Sequence, residues 1–332
     1  MKRHTLRALL ALAALSLLGP TAGAQDAKLE KITMASWGGP ISEVTNLLVE
    51  PDKGFFRARG IELVYMPGTG GGDAVRNLLS GQADVAFTDP GSFYAALDKG
   101  EKLRAIYDIY PQNVFNVVSL KSANIRKPAD LKGKKIGVYS LSSGTLANLQ
   151  LLLNQAGLST KDVTIVVTGL LNFAPLMQGQ VDATAATDTG LLVARARGVG
   201  EVNVMEVRDS LNLSSDLFVV REETYQKRKD VLRRFLAAYR DSAQWMMDQP
   251  DEAAKLAVKR AINGQNEAVN LEVIKLRNAT SVSPLTQQKG LGAIDVEMLQ
   301  KGAVAWKQIG LIERDLDMKA VVSQDLLPGK SK

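Results

Sequence analysis

The sequence predicts an α/β protein of two like lobes facing each other across a cleft. Three observations carry this. The phrase Gly81-Gln82-Ala83-Asp84, a short apolar run and Thr88-Asp89 returns as Gly179-Gln180-Val181-Asp182, a longer run and Thr187-Asp188. Short apolar strands alternate with helices on both sides of that repeat, the pattern of a largely parallel sheet. Two stretches, Phe115–Leu120 and Ser215–Val220, read as strands that carry the chain out of the first lobe and back.

The first residues read as a targeting signal rather than as structure. Lys2, Arg3 and Arg7 form a basic start, Ala8 to Leu18 an apolar run, and Ala22-Gly23-Ala24 a small-x-small cleavage site. The apolar run falls short of the roughly 20 residues that a membrane span needs. Residues 1–24 are therefore expected to be removed on export. With no cysteine anywhere in the chain, neither disulfides nor a lipid-anchored N-terminus is open to it. A free exported chain points to the periplasm of a Gram-negative bacterium.

The only histidine is His4, inside the signal. Ser-His-Asp and Cys-His catalysis and His or Cys metal sites are thereby excluded, and neither a metal nor a cofactor is expected. Lys2, Arg3 and Arg7 account for half of the formal charge of +6. Basic runs such as Lys132-Gly133-Lys134-Lys135 read as solvated faces, so no nucleic-acid partner is expected.

Each element has a local reason. Lys31–Ala35 is the first strand, stopped by Ser36-Trp37-Gly38-Gly39-Pro40. A helix runs from about Ser42 to Gly60, and Ile61–Tyr65 is the second strand. Pro67-Gly68-Thr69-Gly70-Gly71-Gly72 opens a helix whose N–H groups favour an anion or polar oxygen. Val85–Thr88 is the third strand and Leu103–Asp108 the next. The second lobe repeats this grammar. Ile136–Tyr139 is followed by Ser140-Leu141-Ser142-Ser143-Gly144-Thr145 at a helix start, where hydroxyls cap free N–H groups or hold an oxygen-rich ligand. Val163–Thr168 ends at Gly169-Leu170-Leu171-Asn172-Phe173. From Arg221 the chain turns helical, with apolar residues at helical spacing that read as core and nothing that reads as chemistry.

Lys53-Gly54-Phe55-Phe56, Gly60-Ile61-Glu62-Leu63, Gly81-Gln82-Ala83-Asp84, Asp130-Leu131-Lys132-Gly133-Lys134-Lys135-Ile136-Gly137-Val138 and Gly179-Gln180-Val181-Asp182-Ala183 occur in that order. Together they resemble the periplasmic solute-binding proteins of ABC importers, in the nitrate, sulfonate and taurine branch (the SsuA/THI5-like, or NMT1, group). The resemblance spans about residues 30 to 320. It implies the two-lobed type II binding-protein fold, with lobe one at 28–117 plus 217–332 and lobe two at 118–216. It also implies a monomer that captures a small solute (a sulfonate, a taurine-like zwitterion or a pyrimidine-like ring) and hands it to a membrane permease driven by an ATPase. The ligand loops it implies hold Trp37, Gly38, Thr69, Gly70, Gly71, Thr88, Asp89, Asn116, Ser142, Ser143, Gly144, Thr145, Asn172, Phe173, Thr187 and Asp188.

The pyrimidine-synthesising members of the wider group use a Cys-rich motif and a histidine, which this chain lacks, so no enzyme is expected. A dehydratase-like enzyme on the same fold and a sensor module for a membrane receptor stay open as alternatives. If Asp89 and Asp188 both face the cleft, a bare anion is repelled and a ligand with amine or hydroxyl donors is favoured. If they cap their helices, they say nothing about the ligand.

Overall fold

The computed structural model describes residues 29–171 and 173–329; the expected signal at 1–24 and Asn172 lie outside them. Among the described residues, ten strands form two five-stranded sheets. The first holds β1 (Glu30–Ser36), β2 (Ile61–Met66), β3 (Val85–Thr88), β4 (Leu103–Tyr110) and β10 (Asp216–Arg221). The second holds β5 (Phe115–Leu120), β6 (Lys135–Val138), β7 (Thr164–Val167), β8 (Ala183–Thr187) and β9 (Val202–Glu206).

The strand orders are β2-β1-β3-β10-β4 and β7-β6-β8-β5-β9. They are the same order twice. In each sheet one strand runs antiparallel, β10 against β3 and β4, and β5 against β8 and β9. That strand is in each case the first one reached after the chain changes sheets. The passages themselves lie beside the strands expected to make them. β5 lies wholly in the second sheet, so the outward passage is residues 111–114 rather than the strand. The return passage is residues 207–215, and β10 lies wholly in the first sheet.

Side chains lock the two passages together. Val114 N donates to Ser215 Oγ at 3.0 Å, Ser215 Oγ to Gln112 O at 2.7 Å, and Asn113 N to Asn212 Oδ1 at 2.8 Å. Polar groups that would otherwise be orphaned between the sheets are satisfied in this way.

The repeated phrase proves to be a structural device. Gly81 and Gly179 both take a positive φ, 78° and 69°, which a side chain would disfavour. Asp84 then accepts from Thr33 N at 2.9 Å, and Asp182 from Lys135 N at 2.8 Å. Each aspartate thus pins the strand that follows it, β3 or β8, to its parallel neighbour, β1 or β6. From these anchors, Val85 pairs with Met34 and Ala183 with Ile136. The extra residue of the second copy is then resolved: Asp89 is equivalent to Thr187, not to Asp188.

The expected helix over 42–60 is broken into short turns, because Pro51 and the left-handed Gly54 interrupt it. Beneath the first sheet lies an aromatic core. Phe218 packs edge-on to Tyr239 with ring centroids 4.7 Å apart, and to Phe235 at 5.2 Å. The helix Lys229–Asp248 supplies two of these rings, so this part of the C-terminal segment is core, as its spacing predicts. No described helix is long and apolar enough to cross a membrane.

Candidate functional site

The carboxyl ends of the parallel strands of both sheets converge on one cavity of about 580 Å³. Ligands in open α/β sheets sit at such strand ends. Trp37 follows β1, Asp89 follows β3, Tyr139 follows β6 and Thr187 ends β8; all four line the cavity. Trp37 meets Tyr139 across it, edge to face, with ring centroids 6.3 Å apart. Phe115, Leu170, Phe173, Met177, Ile41 and Ile262 make much of the remaining wall apolar.

The two halves touch around the cavity. Gly72 N donates to Ser142 O at 3.0 Å and Tyr139 Oη to Gly68 O at 3.1 Å. Gly70 and Gly71 make this approach possible. A Cβ on Gly70 would stand 2.7 Å from Ser142 O, and one on Gly71 would overlap the Asp89 carboxylate.

A third cross-cleft contact is ionic and buried. Arg277, 1% exposed, donates through Nη2 to Asp188 Oδ1 at 2.6 Å and to Thr189 Oγ1 at 2.9 Å. Glu43 Oε2 lies 3.5 Å from the same nitrogen and accepts from Thr189 Oγ1 at 2.6 Å. Burial works against the Arg277 charge, but Asp188 and Glu43 outweigh it and hold the guanidinium firmly protonated. Arg277 Nε and Asp188 Oδ2 are buried with no hydrogen-bond partner among the described residues.

Among the described residues, three carboxylates line the cavity itself: Glu43, Asp89 and Asp216. Asp89 caps the helix Pro90–Asp98, accepting from Ser92 N at 2.9 Å and from Ser92 Oγ at 2.8 Å. Burial pushes its carboxyl up, against the pull of the Ser92 bonds. Asp216 has no hydrogen bond to its side chain among the described residues. Burial pushes it well above the usual carboxylate range, and Asp89 and Glu43 add to that while Arg277 opposes it.

Of the residues singled out in the sequence, Trp37, Gly70, Gly71, Asp89, Ser143, Gly144, Thr145, Phe173 and Thr187 line the cavity. Others stand behind it. Gly38 O accepts from Tyr65 Oη, Thr69 bonds to Asp73, and Thr88 Oγ1 donates to Gly71 O at 2.9 Å. Ser142 bridges the halves through its carbonyl, and Asp188 is engaged by Arg277. Asn116 is buried in β5 with both side-chain polar atoms unpartnered, away from the cavity wall.

Arg277, Glu43, Asp216 and Tyr139 were not singled out. Arg277 lies beyond Arg221, where the sequence shows nothing that reads as chemistry, and the structure sets it on the cavity wall. One signal was present. Asn270, Val273, Ile274, Arg277 and Thr280 are the buried face of the helix Glu267–Thr280, so a charge stands at helical spacing among residues that face inward.

The NMT1/THI5-like family model matches residues 41–253. The chain belongs to this family. It is 24% identical over 308 residues to a riboflavin-binding protein, RibY, of Chloroflexus aurantiacus, covering 91% of this chain and 88% of that one. It is 23% identical over 218 residues to a 4-amino-5-hydroxymethyl-2-methylpyrimidine phosphate synthase of Schizosaccharomyces pombe, covering 61% and 62%. Relatives within the family thus include proteins named for binding and proteins named for synthesis. Among solved structures, the alkanesulfonate-binding protein SsuA from Xanthomonas axonopodis pv. citri, bound to MOPS, superposes with a TM-score of 0.72. That match covers 90% of this chain and 99% of that one at 18% identity, which shows the fold alone. The family member described here therefore has the two-lobed periplasmic binding-protein fold.

Proposed function

We propose that this chain is the exported substrate-binding component of an ABC-type importer, working in the periplasm of a Gram-negative bacterium. Lobe one, 28–117 with 217–332, and lobe two, 118–216, close on a small organic solute by bending at the passages 111–114 and 207–215. The closed form is what the membrane permease and its ATPase read. The observation that carries this reading is the cavity of about 580 Å³ walled by both halves. A solute held by both lobes has the differential affinity that closure requires.

The cavity also bears on the kind of solute. A sulfonate or nitrate would face Glu43, Asp89 and Asp216, and Arg277, the one cationic side chain deep in the wall among the described residues, is already engaged by Asp188. Among a sulfonate, a taurine-like zwitterion and a pyrimidine-like ring, the last two fit better. The apolar and aromatic wall favours a flat body. A chain with no cysteine, and with its one histidine at position 4, suits capture better than the chemistry of the named synthases.

The test is to express the mature chain, recover any bound solute under denaturing conditions and identify it by mass spectrometry. The solute is then returned to the refolded protein in a thermal-shift assay. At about a hundred times its Kd, a ligand adds about 2.7 kcal/mol, several degrees for a chain of this size. A protein that turned the solute over, or that carried none and responded to none of a broad panel, would defeat the reading.

A further inference from the structure

We propose that Asp216 is the recognition site for a protonated nitrogen on the solute, so that the cargo is a flat, largely apolar molecule bearing a basic amine or amidine. This rests on the solute-binding reading and sharpens it. The argument begins with register. Leu217 pairs with Thr88 in the antiparallel ladder of β10 on β3. The next residues outward, Asp216 and Asp89, therefore stand side by side at the carboxyl end of β3. Both line the cavity, and both are nearly buried, at 7% and 4% exposure.

Their situations differ. Asp89 is committed to Ser92, and Glu43 to Thr189 and Arg277. Asp216 alone is left without a hydrogen bond among the described residues. A buried carboxylate without a partner is costly. Burial favours the neutral carboxyl, and a cation on the solute would favour the charged one. Arg277 eases that charge from nearby, but its hydrogen bonds go to Asp188 and Thr189 and none goes to Asp216. On the wall of the same cavity, Trp37 and Tyr139 offer ring faces and edges suited to a flat body and to a cation beside it. A metal ion is a poor alternative, since no three acidic side chains among the described residues converge tightly enough to hold one.

The test uses one ring with three side chains of similar length: tryptamine, tryptophol and indole-3-acetate, titrated by calorimetry into the refolded mature protein. Tryptamine is expected to bind at least tenfold more tightly than tryptophol, and indole-3-acetate most weakly. Asp216→Asn, close in shape, is expected to bring tryptamine down to the level of tryptophol and to change tryptophol far less than tryptamine. The order of the three probes on the unaltered protein tests the idea even where the variant folds poorly. Equal binding, a preference for the acid, silence from all three, or tryptamine binding indifferent to Asp216→Asn would each overturn it. A preference for the acid would remove the cation site and leave the solute-binding reading standing. That reading fails separately, when no solute is recovered and a broad panel finds none.

Discussion

The two halves of the molecule share one strand order and differ in what they bring to the cavity. The first half supplies all three carboxylates of the wall, together with Arg277 and Trp37. The second supplies hydroxyls, glycines and apolar or aromatic side chains, and among the described residues Arg197 is its only charged contribution, exposed at the margin. The difference is sharpest at the equivalent positions Asp89 and Thr187. Both cap the helix that follows, from Ser92 N and Gly190 N respectively. An N-cap needs only an oxygen. The scaffold is therefore indifferent to the choice between Asp and Thr, and the cavity is free to use it. A repeated fold can keep its backbone chemistry in both copies and assign charge to one and shape to the other.

The largest expected effect comes from breaking the contact that joins the halves. Arg277→Met strands Asp188 and Glu43 as buried charges, which costs about 3–5 kcal/mol. Urea unfolding would read this directly, and small-angle scattering should show a wider cleft. A loss below about 1 kcal/mol would mean that the pair contributes little in solution.

The next effect separates the halves by pH. Burial pushes Asp108, in β4 of the first sheet, up to about 8, partly relieved by the bond from Ser214 Oγ. The folded state then holds a proton that the unfolded chain has released above about pH 4. This contribution to stability is complete below about pH 4 and is lost as pH rises towards 8, at no more than about 1.4 kcal/mol per pH unit. Asp108→Asn, whose carbonyl still accepts from Ser214, should flatten the fall in urea midpoint between pH 5 and 8. An unchanged slope would place the titrating group elsewhere.

A smaller contrast concerns two glycines that open equivalent helices. Gly71→Ala drives a Cβ into the Asp89 carboxylate, with Asp89 N only 2.9 Å away, whereas Gly144→Ala meets the tip of the Phe115 ring at 2.6 Å. Backbone does not yield as a ring does. The first change should cost towards about 3 kcal/mol and the second nearer about 1 kcal/mol; thermal midpoints of the two variants decide the order.

The smallest effect compares the paired aspartates. Asp84 holds Thr33 N and is also paired with Arg228 at 2.7 Å, whereas Asp182 holds only Lys135 N among the described residues. Asp84→Ala should cost about 1–2 kcal/mol and Asp182→Ala about 0.5–1 kcal/mol. Equal losses would show that Arg228 adds nothing to the anchor.

The sequence by itself determined the scaffold. Alternating apolar runs, Gly punctuation and the repeated Gly-Gln-x-Asp are local signals, because strand burial, helix ends and tight turns are decided within a few residues. That is why Val85–Thr88 is read to the residue and why nine of the expected site residues fall on the cavity wall. Chain position could not decide which strand-end oxygens face each other. The spare residue in the second copy hides the equivalence of Asp89 with Thr187 until strand register fixes it. Only the tertiary structure brought Arg277 to Asp188, 89 positions away, and set Asp216 beside Asp89 through a strand that returns from the other lobe. Charges so placed are costly alone and stable together, and that balance exists only once the chain has closed around them.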